Sequence, residues 1–343
     1  LRRFEDVRDD IMSDLQPVVK NDTLYCFYDL LHSPITFDSL QFLVFAEIVR
    51  KHRGFPKLMV IIGFGDGGTF RKHTEKDHVL DQDEKMWRVR HVIEPPCWSL
   101  PSCVGTWICV DRAEMIRFHS MLANDNIFPL DYAPDQPKVA FTVRQLVHLH
   151  KHNQDVKVFS APAIAKRKID EWCKIAKIDR PLVVLSIRYD QVHQWKNADQ
   201  ATFEEFQQYL LDRGFAVAVI PDTYLVTRGV IPRVKPGVSI FFQGALDFEL
   251  RAALFERAFM TISKHGGPTM YNLFRHGSRF LIFQGDTALP STDEFTRMWD
   301  VQWGDQPPWC TEHQRIVYQE DTLQNLIDNA DPILSTAPMD EAR

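Results

Sequence analysis

Short apolar runs recur along the chain, and between many of them the apolar positions fall three and four apart instead. TLYCFYDL (23–30) predicts a strand, LHSPIT (31–36) a loop, and Phe37 to His52 a helix with Leu40, Leu43, Val44 and Ile48 on one face. Asp38 stands near the start of that helix, where a carboxylate suits the dipole, while Arg50, Lys51, His52 and Arg53 crowd its end and Gly54 stops it. KLMVIIGFG (57–65) is apolar on both faces, which is the mark of a strand in a parallel sheet covered on both sides. GFGDGGTFRKH and HVIEPPCWSL read as loops, the former matching neither a phosphate loop nor a full dinucleotide fingerprint. GTWICV (105–110) is a further short strand before Asp111-Arg112, and residues 134–160 hold two short apolar segments with no strong helix, as a crossover would.

The second half repeats the alternation more cleanly. RPLVVLSIRY (180–189), FAVAVIPD (215–222), VSIFFQ (238–243), FMTIS (259–263) and RFLIF (279–283) read as buried strands. DQATFEEFQQYLLDRG (199–214) is a helix with Phe203, Phe206, Tyr209 and Leu210 inward and Gly214 as its stop, and DFELRAALFERA (247–258) is another. Nearly all-apolar strands separated by helices define a doubly wound α/β unit, whose ligands lie beyond the carboxyl ends of the strands. The polar groups gathered there are Arg188, Asp222-Thr223, Gln243 and the stretch Lys264 to Thr269. In that stretch Gly266-Gly267-Pro268 is expected to turn the chain into a helix at Thr269, offering N–H groups and a positive dipole end to an anion such as phosphate.

Length and composition bound this picture. The chain has 343 residues, which favours two domains: 1–155, 156–330 and a C-terminal tail, 331–343. With 40 Lys and Arg against 46 Asp and Glu, the net charge is −6, so no global field draws nucleic acid or an anionic membrane. Six cysteines lack C-x-x-C or zinc-like spacing and read as reduced thiols of a cytosolic protein. No apolar run approaches the roughly 20 residues of a membrane span, and the charged start LRRFEDVRDD is no signal peptide. The absence of an initial Met leaves open that this is a segment of a longer chain. APAIAKRKIDEWCKIAKI (161–178) is a basic amphipathic helix, read either as a solvated face beside a domain boundary or as a peripheral membrane or acceptor contact.

VVLSIRYDQVHQWKNADQATFEEFQQYLLDRGFAVAVIPD resembles the opening of the donor domain of GT-B nucleotide-sugar glycosyltransferases, above all the bacterial heptosyltransferase-like and fucosyltransferase-like branches. DFELRAALFERAFMTISKHGGPTMYNLFRHGSRFLIFQG resembles the later part of that domain, and SPITFDSLQFLVFAEI the acceptor-side loop and helix after the first strand. The resemblance implies two Rossmann-like domains across a cleft and, without metal or cofactor, transfer of a sugar from a nucleotide-sugar donor to a glycan or lipid-linked acceptor in bacterial surface polysaccharide assembly. It implies a cytoplasmic location, at the inner face of the membrane. Arg188 matches the basic residue that meets the donor phosphates, with Lys196 as a second candidate, and Gly266 to Thr269 match the diphosphate turn. Where the heptosyltransferase pattern has an acidic residue and a Ser or Thr before the glycine, this chain has Lys264-His265, which would bring positive charge directly.

Each candidate has a structural alternative. Arg188 pairs with Asp190 or Asp222, or its planar fork grips phosphate oxygens. His265 supports the turn or faces the ligand, and Arg251 is either an ion-pair partner or directed at the cleft. Asp38, with His32 as the lesser candidate, is the acceptor's general base or simply a helix-start carboxylate. Two other functions stand beside the transferase: a nucleotide-sugar epimerase, and a non-catalytic sugar- or nucleotide-binding domain of a larger polysaccharide-assembly protein.

Overall fold

A computed structural model describes residues 22–72, 78–136, 143–189, 194, 197–284 and 300–338. Among them the chain forms two wholly parallel sheets. The first has four strands: β1 (Thr23–Asp29), β2 (Lys57–Gly63), β3 (Cys103–Ile108) and β4 (Ile127–Phe128), in the order β3-β2-β1-β4. The second has six: β5 (Leu182–Ser186), β6 (Ala216–Ile220), β7 (Ser239–Ile240), β8 (Met260–Lys264), β9 (Phe280–Phe283) and β10 (Gln314–Val317), in the order β10-β9-β8-β5-β6-β7. The described helices are α1 (Ser39–His52), α2 (Gln82–Arg88), α3 (Arg112–Ser120), α4 (Val143–Lys151), α5 (Ala163–Ile175), α6 (Gln200–Asp212), α7 (Thr223–Val226), α8 (Gln243–Leu246), α9 (Phe248–Arg257) and α10 (Leu323–Leu334).

Both sheets reverse their winding beside their first strand. In the first sheet the reversal lies between β1 and β4, and in the second between β5 and β8. A reversal leaves a crevice at the carboxyl ends of the two strands, because their following loops diverge to opposite faces. The outer face of the second sheet packs against α6 and α10 around Phe203, Phe206, Leu210, Leu326 and Ile333. The outer face of the first is covered by Met115 and Phe118 of α3. The remaining faces share one apolar core, which takes in Leu24 and Val60 of the first sheet, Leu40 and Val44 of α1, Val184 and Ile282 of the second sheet, and Ala252 and Phe255 of α9.

Three expectations change. Residues 143–151 form α4, whose short apolar stripe of Val143, Leu146 and Val147 is nonetheless buried. The helix α10 runs through to Leu334 and buries Ile333 and Leu334, so the packed part of the second unit extends past residue 330 into the stretch read as tail. The glycine turn opens a 3-10 segment, Gly267–Phe274, with Pro268 in its first turn, and not an α-helix beginning at Thr269.

Candidate functional site

Strand register builds the site at the second sheet. Ser186, the last residue of β5, is level with Ile220 on β6 and with Ser263 on β8. Two residues further on, the parallel strands deliver Asp222, Arg188 and His265 side by side. The Arg188 guanidinium donates through Nη1 to the His265 carbonyl, and that same nitrogen lies 3.4 Å from where a side chain on Gly266 would begin. The Asp222 carboxylate accepts the N–H of Tyr224 at 2.8 Å and faces that of Tyr189. Burial raises the pKa of Asp222, against the pull of those two N–H bonds and of the charges on Arg251 and Arg188.

The turn itself is held from within. Thr269 donates its hydroxyl to the Gly266 carbonyl at 2.6 Å, and its N–H to the same oxygen at 3.2 Å. The His265 N–H is taken by Phe283 at 2.8 Å. Among the described residues the N–H groups of Gly266 and Gly267 meet no backbone acceptor, and Pro268 has none to offer. Gly267 is required for a different reason than anion approach: a side chain there would begin 2.8 Å from Phe37 Cδ2 and 2.9 Å from Phe37 Cβ. Phe37 also stacks on Phe248 at 5.2 Å. The loop after β1 is therefore pressed directly on the turn after β8, and the two crevices adjoin.

Two cations expected at the site are buried and bonded within the protein. Lys264, only 3% exposed, directs its ammonium to Asp321, with Glu320 at 3.5 Å. Arg251, 6% exposed, donates Nε to the Gly244 carbonyl at 2.5 Å. Its burial lowers its pKa to about 10, with Asp222 opposing that shift. Lys196 lies outside the described residues.

On the other side of the contact, Asp38 is exposed and accepts the Thr36 hydroxyl at 2.6 Å. It occupies the position before α1 without capping it through its side chain. His32 is half-buried, its N–H on the Asp29 carbonyl at 3.1 Å. Sequence reasoning passed over Asp29 itself. This buried carboxylate ends β1 and accepts from Leu31 N–H at 3.0 Å, Arg112 Nη1 at 2.8 Å and the Tyr132 hydroxyl at 2.7 Å. Burial, and then Asp29, push the Tyr132 phenol far up. The cluster anchors the loop that carries His32, Phe37 and Asp38. Its only sequence signal is an acid closing an apolar strand.

The described residues contain no group of three or more His, Cys, Asp or Glu placed to hold a metal ion. The basic helix α5 buries Ala165, Ile169 and Cys173, and Lys166 pairs with Glu256 at 2.7 Å, so part of its charge is spent within the protein. No helix among the described residues is long and apolar enough to cross a membrane.

This is the GT-B fold, two doubly wound parallel units meeting at the carboxyl ends of their strands. It is similar to a glycosyl transferase family 9 protein from Veillonella parvula, with a TM-score of 0.54 and 10% identity over 91% of this chain and 97% of that one. Looser likenesses reach the Escherichia coli ADP-heptose LPS heptosyltransferase II, with a TM-score of 0.45 and 9% identity over 91% and 98% of the two chains. The E. coli heptosyltransferase WaaC with ADP has a TM-score of 0.39 and 9% identity over 91% and 99%. At these identities the likeness is one of fold. No protein-family model and no curated protein sequence matches the chain.

Proposed function

We propose that the chain is a GT-B glycosyltransferase that moves a sugar from a nucleotide-sugar donor to a glycan or lipid-linked acceptor in surface polysaccharide assembly, without a metal ion. The observation that carries this reading is the arrangement of Arg188 beside Gly266 at the β5/β8 reversal, with the acceptor-side loop packed on Gly267. Nucleotide-sugar transfer requires stabilisation of the charge that grows on the departing diphosphate. A fixed guanidinium and the N–H groups that open the turn would supply it where the charge develops.

In this reading the acceptor hydroxyl attacks the anomeric carbon as the bond to the diphosphate breaks, and the electron pair leaves on a phosphate oxygen. For an inverting reaction the hydroxyl proton passes to a base on the facing loop. Asp38 fits that role best, being exposed and adjacent to Phe37; His32 is next. Lys264 is assigned to the scaffold. Six free cysteines suit a reducing compartment and hence the cytoplasm. Contact with the inner face of the membrane would fall on the outer face of α5, where Ile175 is 81% exposed.

The test is nucleotide release from a panel of nucleotide sugars, with and without candidate acceptors, in EDTA. Turnover that depends on acceptor and survives chelation is expected. Asp38→Asn should retain donor binding and lose about 100-fold or more in rate, the scale of general-base catalysis. Sugar epimerisation without nucleotide release, or donor binding without turnover under every acceptor tried, would replace the transferase with one of its two alternatives.

A further inference from the structure

We propose that Tyr189 and Tyr224 form the platform on which the nucleobase of the donor stacks, an assignment that rests on the nucleotide-sugar reading above. The argument starts from Asp222. Its carboxylate accepts the backbone N–H of Tyr224 at 2.8 Å and faces the N–H of Tyr189, so it lies between the chain leaving β5 and the start of α7. The two tyrosines are thereby brought ring to ring, with centroids 5.6 Å apart and planes inclined by 22°. The Thr223 hydroxyl, on the Ala245 carbonyl at 2.5 Å, ties the start of α7 to α8 and fixes the platform from below.

Two features make this a platform and not core packing. Both tyrosines are half-buried beyond the carboxyl ends of the interior strands β5 and β6, and neither belongs to an apolar cluster of the core. The exposed Arg228 lays its guanidinium 3.6 Å from the centre of the Tyr224 ring. A face that takes a planar cation from solvent takes a planar base as well, in place of the guanidinium.

Position supplies the rest. Tyr189 follows Arg188 directly, and Arg188 reaches the turn at Gly266 and His265. Arg188 and Tyr189 thus leave the same strand as adjacent residues, one reaching the turn and the other stacked against Tyr224. A molecule with a diphosphate at one end and a flat heterocycle at the other matches that sequence of chemistries. A sugar phosphate or free pyrophosphate uses only half of it. Stacking is tolerant of base identity, so the platform recognises the nucleoside class, while the choice among bases falls to hydrogen bonds elsewhere.

The experiment measures affinities of ADP, UDP, GDP, CDP and inorganic pyrophosphate for the full chain by titration calorimetry. Tyr224→Ala and Tyr189→Ala should each weaken the preferred nucleoside diphosphate by about 5- to 150-fold, the affinity equivalent of one base–aromatic stack. Pyrophosphate should stay within about 2-fold in both, and Tyr224→Phe should bind as the parent chain does. Arg188→Ala should weaken pyrophosphate and the nucleoside diphosphate alike. Unchanged nucleoside diphosphate affinity in the tyrosine variants would overturn the platform while leaving the donor reading intact. So would equal weakening of pyrophosphate. A parent chain that binds none of the nucleoside diphosphates would overturn both. Should the alanine variants fail to fold, photolabelling of the parent chain with 8-azido-ADP or 5-azido-UDP decides. Crosslinks on the peptides holding Tyr189 or Tyr224 support the platform, and crosslinks confined to other peptides overturn it.

Discussion

At the scale of single residues, the sequence shows which polar groups stand at strand ends but not what each one meets. Arg188 and Asp222 were legible because each directly follows a buried apolar strand. For Lys264 the sequence does not show the partner, Asp321, which lies 57 positions further along the chain. With Lys264 and Asp321 both buried, removing one charge leaves the other unpaired, which costs about 3–5 kcal/mol. Lys264→Ala should therefore lower stability to denaturant by that amount. Replacing both residues, Lys264→Met with Asp321→Leu, should recover most of it. A Lys264→Ala chain of parental stability that has lost only pyrophosphate affinity would return the lysine to the anion site. The thiols make a second prediction. Burial raises Cys103 to about 11 and Cys310 to about 12 from an ordinary value of 9.0. A thiol that holds its proton more tightly folded than unfolded contributes stability that is complete below pH 9 and is lost as pH rises through 9 toward 11 and 12. The melting temperature should fall across that window. The fall should be shallower in the Cys103→Ala, Cys310→Ala double variant than in the parent, whose other titrating groups are shared. Identical slopes would show that the thiols are not kept protonated by the fold.

At the scale of elements, long periodic or wholly apolar segments were legible and short ones were not. β1, β2, β5, β6 and β8 show apolar runs that only a strand covered on both faces needs, whereas β4 and β7 are two residues long and carry no period. The helix α4 escaped because three apolar residues sufficed to bury it. The glycine turn was found, but the reason for its second glycine was not, because that reason is Phe37 from the other unit. Gly267→Ala should force the Phe37 ring away from Phe248. A cost of about 1–3 kcal/mol follows from overpacking, measured by denaturant unfolding. The two sites share one contact, so their effects should not add: Phe37→Ala in the Gly267→Ala background should cost less than Phe37→Ala alone. Strict additivity would mean that the turn and the loop do not bear on each other in solution.

At the scale of the whole molecule, length argued for two domains with two cores, and two sheets are present. What pattern along the chain does not reveal is how the inward faces are covered. Here the face of the first sheet that carries Leu24 and Val60 and the face of the second that carries Val184 and Ile282 belong to one apolar cluster, with α1 and α9 inside it. The loop after β1 joins the first unit to the second, with Phe37 against Phe248 and Gly267. Unfolding either one would expose core side chains of the other, at roughly 25 cal/mol for each Å² uncovered. The two units should therefore unfold together. Calorimetry is expected to give a single transition whose calorimetric and van't Hoff enthalpies agree. A saturating nucleoside diphosphate that binds only beyond the second sheet should move that whole transition upward, because it binds the folded chain alone. Two resolved transitions, with only the later one moved by nucleotide, would instead mean that the shared core is too weak to couple the units. The acceptor loop and the diphosphate turn would then be free to part between turnovers, and the contact between Phe37 and Gly267 would describe one state of a hinge and not a fixed floor for the reaction.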